Sequence, residues 1–387
     1  MQNIFSFHPG RNCWRRCDAE RVHFLIDGEA YFSALADVLE KAEKSVYIVG
    51  WDIDSRIRLR RGSDDAKETL RDILNRIAGE QPDLEIHMLN WDFAMLYALE
   101  REPLPLVKLG WQTHSRVHFQ MDDRHPVGAS HHQKIVVVDD RIAFVGGFDL
   151  ARCRWDTSEH APDEPRRCDD EVAYTPFHDV QMMVEGPVAE ALGELARRRW
   201  RVATGEELPA PRRRDDDIWP PSRPADLKQT KVAILRTEPA YEGSEAIQEV
   251  KEFYLEAIAT ARHCIYIENQ YLTSHAIGAA LEERLKEADG PDVVIVLPKN
   301  CAGWLEENTM GLLRNRILQR LQQADRSDRL GVYYPSRDDL AEDMINVHSK
   351  LLIVDNSLVR IGSSNLNNRS MGFDTECDLA IGAEQEP

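Results

Sequence analysis

Across residues 31–44 apolar side chains recur at helical spacing, and from Ser45 the pattern changes to the continuous apolar run Val-Tyr-Ile-Val-Gly-Trp, which predicts a helix followed by a buried strand. A second pair follows, a helix over 69–78 and a strand over 84–89, and residues 116–121 read as a further strand. The later part of the chain repeats this order: helix 247–261, strand 264–269, helix 279–286, strand 293–297, a long helix over 306–323 and a strand over 331–334. Alternation of helix and buried strand is the pattern of an α/β fold, and its duplication predicts two similar lobes. Residues 204–230, rich in Pro and charge, read as the connection, so the expected division is 1–203, a linker 204–230, and 231–387. The first lobe closes with strand 179–185 and helix 187–202; the second reaches strand 377–381 and the sequence stops at Pro387, so either that lobe ends differently or the sequence is a fragment.

Each lobe carries the same polar motif. His132, Lys134, Asp139 and Gly146 are matched by His348, Lys350, Asp355 and Gly362 at identical spacings. Side chains alternate faces along a strand, so His and Lys of each copy project together while the Asp points elsewhere. Asp139 and Asp355 therefore read as turn residues of hairpins 135–145 and 351–361. An imidazole serves as nucleophile or proton donor near neutral pH, and an ammonium stabilises phosphoryl oxygens. Two such sets facing each other would surround one phosphodiester with a nucleophile, a general acid and two cations, a chemistry that calls for no metal or other cofactor. After each motif the turns Gly146-Gly147-Phe148-Asp149 and Gly362-Ser363-Ser364-Asn365 fall at the same offset, which makes Asp149, Ser363, Ser364 and Asn365 candidate substrate-binding residues. Asp179 and Glu376 occupy equivalent places before the next strand, and a carboxylate on the far ring nitrogen would fix each histidine's tautomer. Which carboxylate meets which histidine is left open by the sequence.

Composition narrows the reading. With 42% apolar residues in 387, large cores are available, and 48 basic against 67 acidic residues (net −19) disfavour broad adhesion to nucleic acid. No stretch approaches the roughly 18 apolar residues of a spanning helix and none resembles a secretory leader, so a cytoplasmic location is expected. Seven scattered cysteines fit reduced thiols. His131, of opposite parity to His132, reads as a packed or surface residue; the run 197–201, Arg-Arg-Arg-Trp-Arg, reads as a solvated helix face; Trp51, Trp91 and Trp155 read as core or rim.

These residues resemble the phospholipase D superfamily, whose defining feature is the duplicated His-x-Lys-x4-Asp. Within it the likeness is to the bacterial and eukaryotic phospholipase D enzymes. It is carried by Gly146-Gly147-Phe148-Asp149-Leu150 with Arg154-Trp155-Asp156, by Phe177-His178-Asp179-Val180, by Tyr266-Ile267-Glu268-Asn269-Gln270-Tyr271, and by Gly362-Ser363-Ser364-Asn365 leading to Arg369-Ser370-Met371. The resemblance implies two α/β/α/β/α sandwich lobes with the active site at their interface. It also implies a covalent phosphohistidine on His132, His348 as the acid that protonates the leaving alcohol, and hydrolysis or alcohol transfer of a phospholipid headgroup, phosphatidylcholine being the leading substrate. A cardiolipin synthase-type phosphatidyltransferase and a nuclease share the motif and stand as alternatives. Contact with a membrane surface, at its inner face, is expected; the apolar stretch at 303–305 and 310–313 is a candidate interfacial loop and helix, with packing between the lobes as its leading reading.

Overall fold

The computed structural model describes residues 5–62, 68–92, 113–212, 216–299, 310–340 and 345–383. In the first half, β1 (Arg15–Ile26) leads into α1 (Asp27–Leu39), β2 (Ser45–Gly50), α2 (Leu70–Glu80), β3 (Glu85–Trp91) and β4 (Val117–Asp122). The hairpin β5 (Ile135–Val138) and β6 (Ile142–Gly146) follows, then the two-residue strands β7 (Cys168–Asp169), β8 (Val172–Ala173) and β9 (Phe177–His178), and finally β10 (Val180–Glu185) and α3 (Pro187–Thr204). The second half runs β11 (Leu227–Glu238), β12 (Ile247–Gln248), α4 (Glu249–Thr260), β13 (Cys264–Glu268), α5 (His275–Lys286), β14 (Asp292–Val296), α6 (Leu312–Ala324), β15 (Leu330–Tyr333), β16 (Asn346–Val347), the hairpin β17 (Leu351–Val354) and β18 (Leu358–Gly362), and β19 (Glu376–Gly382).

The two halves order their strands alike. From the middle outward the first reads β1-β10-β6-β5-β2-β3-β4 and the second β11-β19-β18-β17-β13-β14-β15, and antiparallel pairing of β1 with β11 joins them into one sheet. The expectation of two similar α/β lobes is met, with one sheet running through both. Neither β1 nor β11 is visible in the hydrophobic pattern, because charges interrupt both. Those charges are held in ion pairs, Arg21 with Glu185 and Asp217, and Lys231 with Asp18.

Helices α1 and α2 pack on one face of the first half, with Leu35, Leu39, Ile73 and Ile77 against Ile48, Ile86 and Val136, and α4, α5 and α6 cover the corresponding face of the second. The opposite face of the first half is covered by α3 through Val188, Leu192, Leu195 and Trp200. This helix begins at Pro187, whose missing N–H is no loss in a first turn, and stops at Gly205 in the left-handed region. Among the described residues α3 has no counterpart over the second half, so β5 is buried throughout while β17 alternates half-buried and buried positions. Of the α3 arginines, Arg201 is exposed as expected, while Arg197 and Arg199 are not part of a solvated face. Arg197 bonds Asp140 at 2.8 Å, Arg199 makes a bidentate pair with the fully buried Asp122, and Trp200 is core. The segment 204–230 is also less detached than a linker, since Ile218 and Trp219 are buried in the first-half core.

Asp139 and Asp355 each tie a hairpin to the strand beside it. Asp139 accepts hydrogen bonds from the backbone N–H groups of Glu43, Lys44 and Ser45, and Asp355 from those of Arg262, His263 and Cys264. Both stand in the left-handed region (φ 53° and 52°), which Asp tolerates at a tight turn. Replacing Asp139, only 2% exposed, by Ala strands three buried donors and is expected to cost about 3 kcal/mol; the half-exposed Asp355 should cost less, about 2 kcal/mol. Urea unfolding midpoints check both values. Burial tends to raise the Asp355 carboxyl, but its three N–H donors outweigh that and hold it below its ordinary range. Its contribution is therefore fully present above an unfolded value of about 4 and is lost as pH falls through the lower folded value.

Candidate active site

The two motifs meet where the halves face each other. In each, His and Lys sit in the extended segment just before the strand rather than within it, since β5 starts at Ile135 and β17 at Leu351. These entry segments pair across the halves in parallel. His132 donates its N–H to the carbonyl of Thr375 (3.1 Å), and His348 donates its N–H to the carbonyl of His178 (2.8 Å), continuing the β16–β9 ladder. Each histidine is thereby laid beside the residue that precedes the other half's carboxylate.

The pairing is consequently crossed. His132 Nδ1 lies 2.9 Å from a Glu376 oxygen, and His348 Nδ1 lies 2.6 Å from Asp179 Oδ2. Both carboxylates are completely buried, whereas both rings remain partly open. With Nδ1 engaged, Nε2 is the atom each histidine can offer a substrate, and the described residues give it no hydrogen bond. Ser363 donates to Glu376 at 2.5 Å. At the equivalent place in the first half stands Gly147, where a Cβ would lie 2.1 Å from Asp179 Oδ1. The glycine after the first motif thus makes room for a carboxylate, and its serine counterpart holds one.

The lysines differ. Lys134 pairs with Asp149 at 3.0 Å, and Asp149 is itself fixed by the N–H groups of Trp51 (2.9 Å) and Asp52 (3.2 Å). The position matching Asp149 is Asn365, so Lys350 has no carboxylate within ion-pair distance among the described residues and bonds the His348 carbonyl instead. Burial, only partly opposed by Asp179, brings the Lys350 ammonium down to about 7. A bound phosphate anion would restore its charge.

The candidate substrate contacts fare unevenly. Ser364 donates to Asp378 and lies within the buried Arg360–Asp378 network, and Ser363 serves Glu376, so both hydroxyls are occupied by protein carboxylates. Asp149 faces Lys134. Asn365 is buried, with an Oδ1 that finds no partner.

Burial also governs the histidine–carboxylate pairs. It holds His132 well below an ordinary imidazole, helped by the Lys134 charge, and does the same to His348, helped by Lys350 and Arg154. It lifts Asp179 to about 7, against the pull of Lys350, and Glu376 to about 8, against the Ser363 hydrogen bond. Each pair is driven toward neutral imidazole beside neutral acid, and so holds two protons at slightly acid pH and one at slightly alkaline pH.

Behind His348 lies a second set of charges that the residue pattern did not reveal. His178 Nδ1 meets Asp27 Oδ1 at 2.7 Å and its Nε2 meets Glu268 Oε2 at 3.0 Å, while Ser349 donates to the same Glu268 oxygen. Burial opposes the charged form, but the two carboxylates raise His178 to about 10, so it bridges the halves as an imidazolium. The available signal was Glu268, an acidic residue closing an apolar strand where the first half has Val49. Asp27, His160 and His178 also place donor atoms within 4.8 Å of one another, the group among the described residues that could hold a metal ion. His131 is packed, as expected, against Asp122 at 3.1 Å. Trp155 is core, and Trp51 and Trp91 lie against each other with centroids 5.5 Å apart. The stretch 303–305 and Cys301 lie outside the described residues; the six described cysteines are free thiols.

A duplicated α/β sheet whose halves exchange histidine–carboxylate pairs across a seam defines a two-motif phosphoryl-transfer architecture. Two family models match the chain, one described as "Phospholipase D" over residues 108–289 and one as "Cardiolipin synthase, PLD-like domain" over residues 254–386. Phospholipase D A of Dictyostelium discoideum is 26% identical across 93% of this chain, and phospholipase D alpha 1 of Zea mays 25% across 93%. The chain spans 32% and 61% of those relatives' lengths. Among solved structures, phosphatidylserine synthase of Haemophilus influenzae Rd KW20 superposes with a TM-score of 0.63 at 14% identity, covering 95% of this chain and 83% of its own. Polyphosphate kinase of Porphyromonas gingivalis gives 0.51 at 11%, over 93% and 47%. At such identities these two likenesses concern the fold alone. The chain belongs to the phospholipase D superfamily, and that membership supports a phosphodiesterase-type enzyme.

Proposed function

We propose that the protein is a phospholipase D acting on a glycerophospholipid, and the observation that carries this reading is the crossed set of His132–Glu376 and His348–Asp179 pairs with two lysines beside them. His132 Nε2 attacks phosphorus, the bond to the headgroup oxygen breaks, and His348 supplies the proton that oxygen needs. Water then gives its proton to His348 and attacks the phosphohistidine, breaking the P–N bond and releasing phosphatidic acid. Glu376 and Asp179 orient the rings and balance the charge that develops on them. Lys134 and Lys350 meet the non-bridging oxygens, where negative charge accumulates.

The test is headgroup release with accumulation of phosphatidic acid from vesicles of mixed diacyl phospholipids, phosphatidylcholine included, together with a short-chain alcohol. Release with phosphatidic acid supports hydrolysis. Diversion of most product to the phosphatidyl-alcohol would instead favour a phosphatidyltransferase of the cardiolipin synthase kind. If no diacyl phospholipid turns over while a DNA substrate is cut, the phospholipase reading is wrong and the same chemistry serves a nuclease. We further propose contact with a membrane surface during turnover, since the substrate resides there; no helix among the described residues is long and apolar enough to cross one.

A further inference from the structure

The two halves tie down their lysines by different means. Lys134 is held at its ammonium by Asp149, whose counterpart is Asn365, so the second half lacks that tie. It has another in its place. Arg360 follows Phe144 by 216 residues, the interval that separates the motif histidines, and both side chains are fully buried. Asp378 pairs with Gly362 as Gln181 pairs with Gly146, so it stands where the first half has an amide. The ring of Tyr31 on α1 packs against Phe144 with centroids 5.8 Å apart, and Tyr254 on α4 meets the Arg360 guanidinium at 5.0 Å in the corresponding place. One half therefore fills this position with a ring and the other with a buried ion pair.

Every nitrogen of that guanidinium is engaged. Nε donates to Asp378 Oδ2 at 2.9 Å, Nη1 to the carbonyl of Lys350 at 2.8 Å, and Nη2 to the carbonyl of Ser364 at 3.3 Å and to its hydroxyl oxygen. Asp378 also accepts the N–H of Ser364 at 3.1 Å and its hydroxyl at 2.7 Å. At the equivalent place in the first half, Gln181 accepts the N–H of Phe148 at a longer 3.4 Å. Arg360 thus joins three pieces of the site: the backbone of Lys350, the turn at 362–365, and the strand that carries Glu376 two residues before Asp378. Its planar fork, with all donors met by fixed acceptors, leaves those pieces little freedom to shift against one another.

The difference bears on the phosphate. A carboxylate 3.0 Å from the Lys134 ammonium cancels much of its attraction for a further anion. Lys350, steadied through its backbone instead, has no carboxylate within ion-pair distance among the described residues, and Arg360 and Asp378 neutralise each other beneath it. Resting on the phospholipase D reading only in taking the bound group to be a phosphate ester, we propose that Arg360 is a positioning residue for Lys350. It does the ordering that Asp149 does for Lys134, and so leaves Lys350 as the principal cation for the phosphate. The two motif lysines are then unequal: Lys350 binds the anion, and Lys134 with Asp149 chiefly orders the wall of the site.

The test is calorimetric titration of the full chain with inorganic phosphate. Lys350→Met should weaken binding by about 30-fold, the loss of a charge-assisted bond. Lys134→Met made together with Asp149→Asn, which strands no carboxylate, should weaken it by less than about threefold. Arg360→Phe with Asp378→Gln, the first-half pair, should weaken it by about tenfold and add little in the Lys350→Met background. Arg360→Lys keeps a charge beside Asp378 but cannot span Lys350 and Ser364 together; it should show most of the same loss, and it decides the matter if the paired change does not fold. Equal losses from the two lysine changes, or no phosphate binding by the wild type, would overturn the division between the lysines. An unchanged affinity in the Arg360 variants, or a loss that persists in full in the Lys350→Met background, would overturn the positioning role. The expected pattern without turnover of any diacyl phospholipid would leave the assignment standing and refute the phospholipase reading, whereas equal losses with turnover intact would refute the assignment alone.

Discussion

His348→Asn is expected to lower headgroup release by about 10⁴-fold or more while leaving a phosphatidyl adduct on His132, seen by mass spectrometry after quenching without acid. The magnitude follows from losing an obligatory member of a nucleophile–acid–carboxylate set, where single deletions remove most of the chemistry. The adduct follows from an asymmetry between the two steps. Attack by His132 keeps Glu376 and the lysines and loses only the proton that His348 gives the departing headgroup oxygen, so adduct formation is slowed while its breakdown is blocked. Breakdown needs a base at position 348 to take a proton from water, and asparagine cannot do that at neutral pH. An Asn amide can still bond the buried Asp179, so the packing around Phe177 should survive and the thermal midpoint should move little. The converse variant, His132→Asn, should be equally inactive and carry no adduct at position 132. An adduct on His348 there would reverse the two roles. Substantial turnover in either variant would end the covalent mechanism proposed.

The histidines and lysines were legible because duplication made them so: one His-x-Lys means little, whereas two copies 216 residues apart cannot be surface decoration. The same comparison pointed to Asp179 and Glu376, but their crossing was hidden. It depends on the parallel bridges that lay His132 beside Thr375 and His348 beside His178, and these join segments far apart in sequence that carry no strand pattern of their own. The turn residues after each motif misled for a related reason. Glycine, serine and asparagine at that offset do permit close approach, but the groups approaching are Asp179, Glu376 and Asp378 of the protein. Strands β1 and β11 were missed because charged residues flank and interrupt their apolar positions, and Arg197 and Arg199 of α3 were misjudged because their partners, Asp140 and Asp122, lie on strands and turns that no helical periodicity reveals.

Glu376→Gln and Asp179→Asn should each reduce kcat by about 10³- to 10⁴-fold with little change in KM, and each should remove one limb of the pH profile. Replacing a carboxylate by its amide keeps the volume and one acceptor but no longer dictates which ring nitrogen holds the proton, the effect expected when a triad carboxylate is lost. In the wild type one pair must hold a single proton, so that its histidine presents a lone pair at Nε2, while the other must hold two, so that its histidine can donate. Burial places Glu376, beside the nucleophile His132, at about 8 and Asp179, beside the acid His348, at about 7, so the productive protonation state is a minority form, and activity should rise up to about pH 7, fall above about pH 8 and peak between them. The alkaline fall is reinforced at low substrate, because Lys350 loses its charge from about pH 7 upward in the empty site and binds the phosphate less well, raising KM. A wild-type kcat/KM profile flat from pH 6 to 9 would show that these pairs do not titrate during catalysis. Variants that lose activity but keep both limbs would show that the carboxylates only pack.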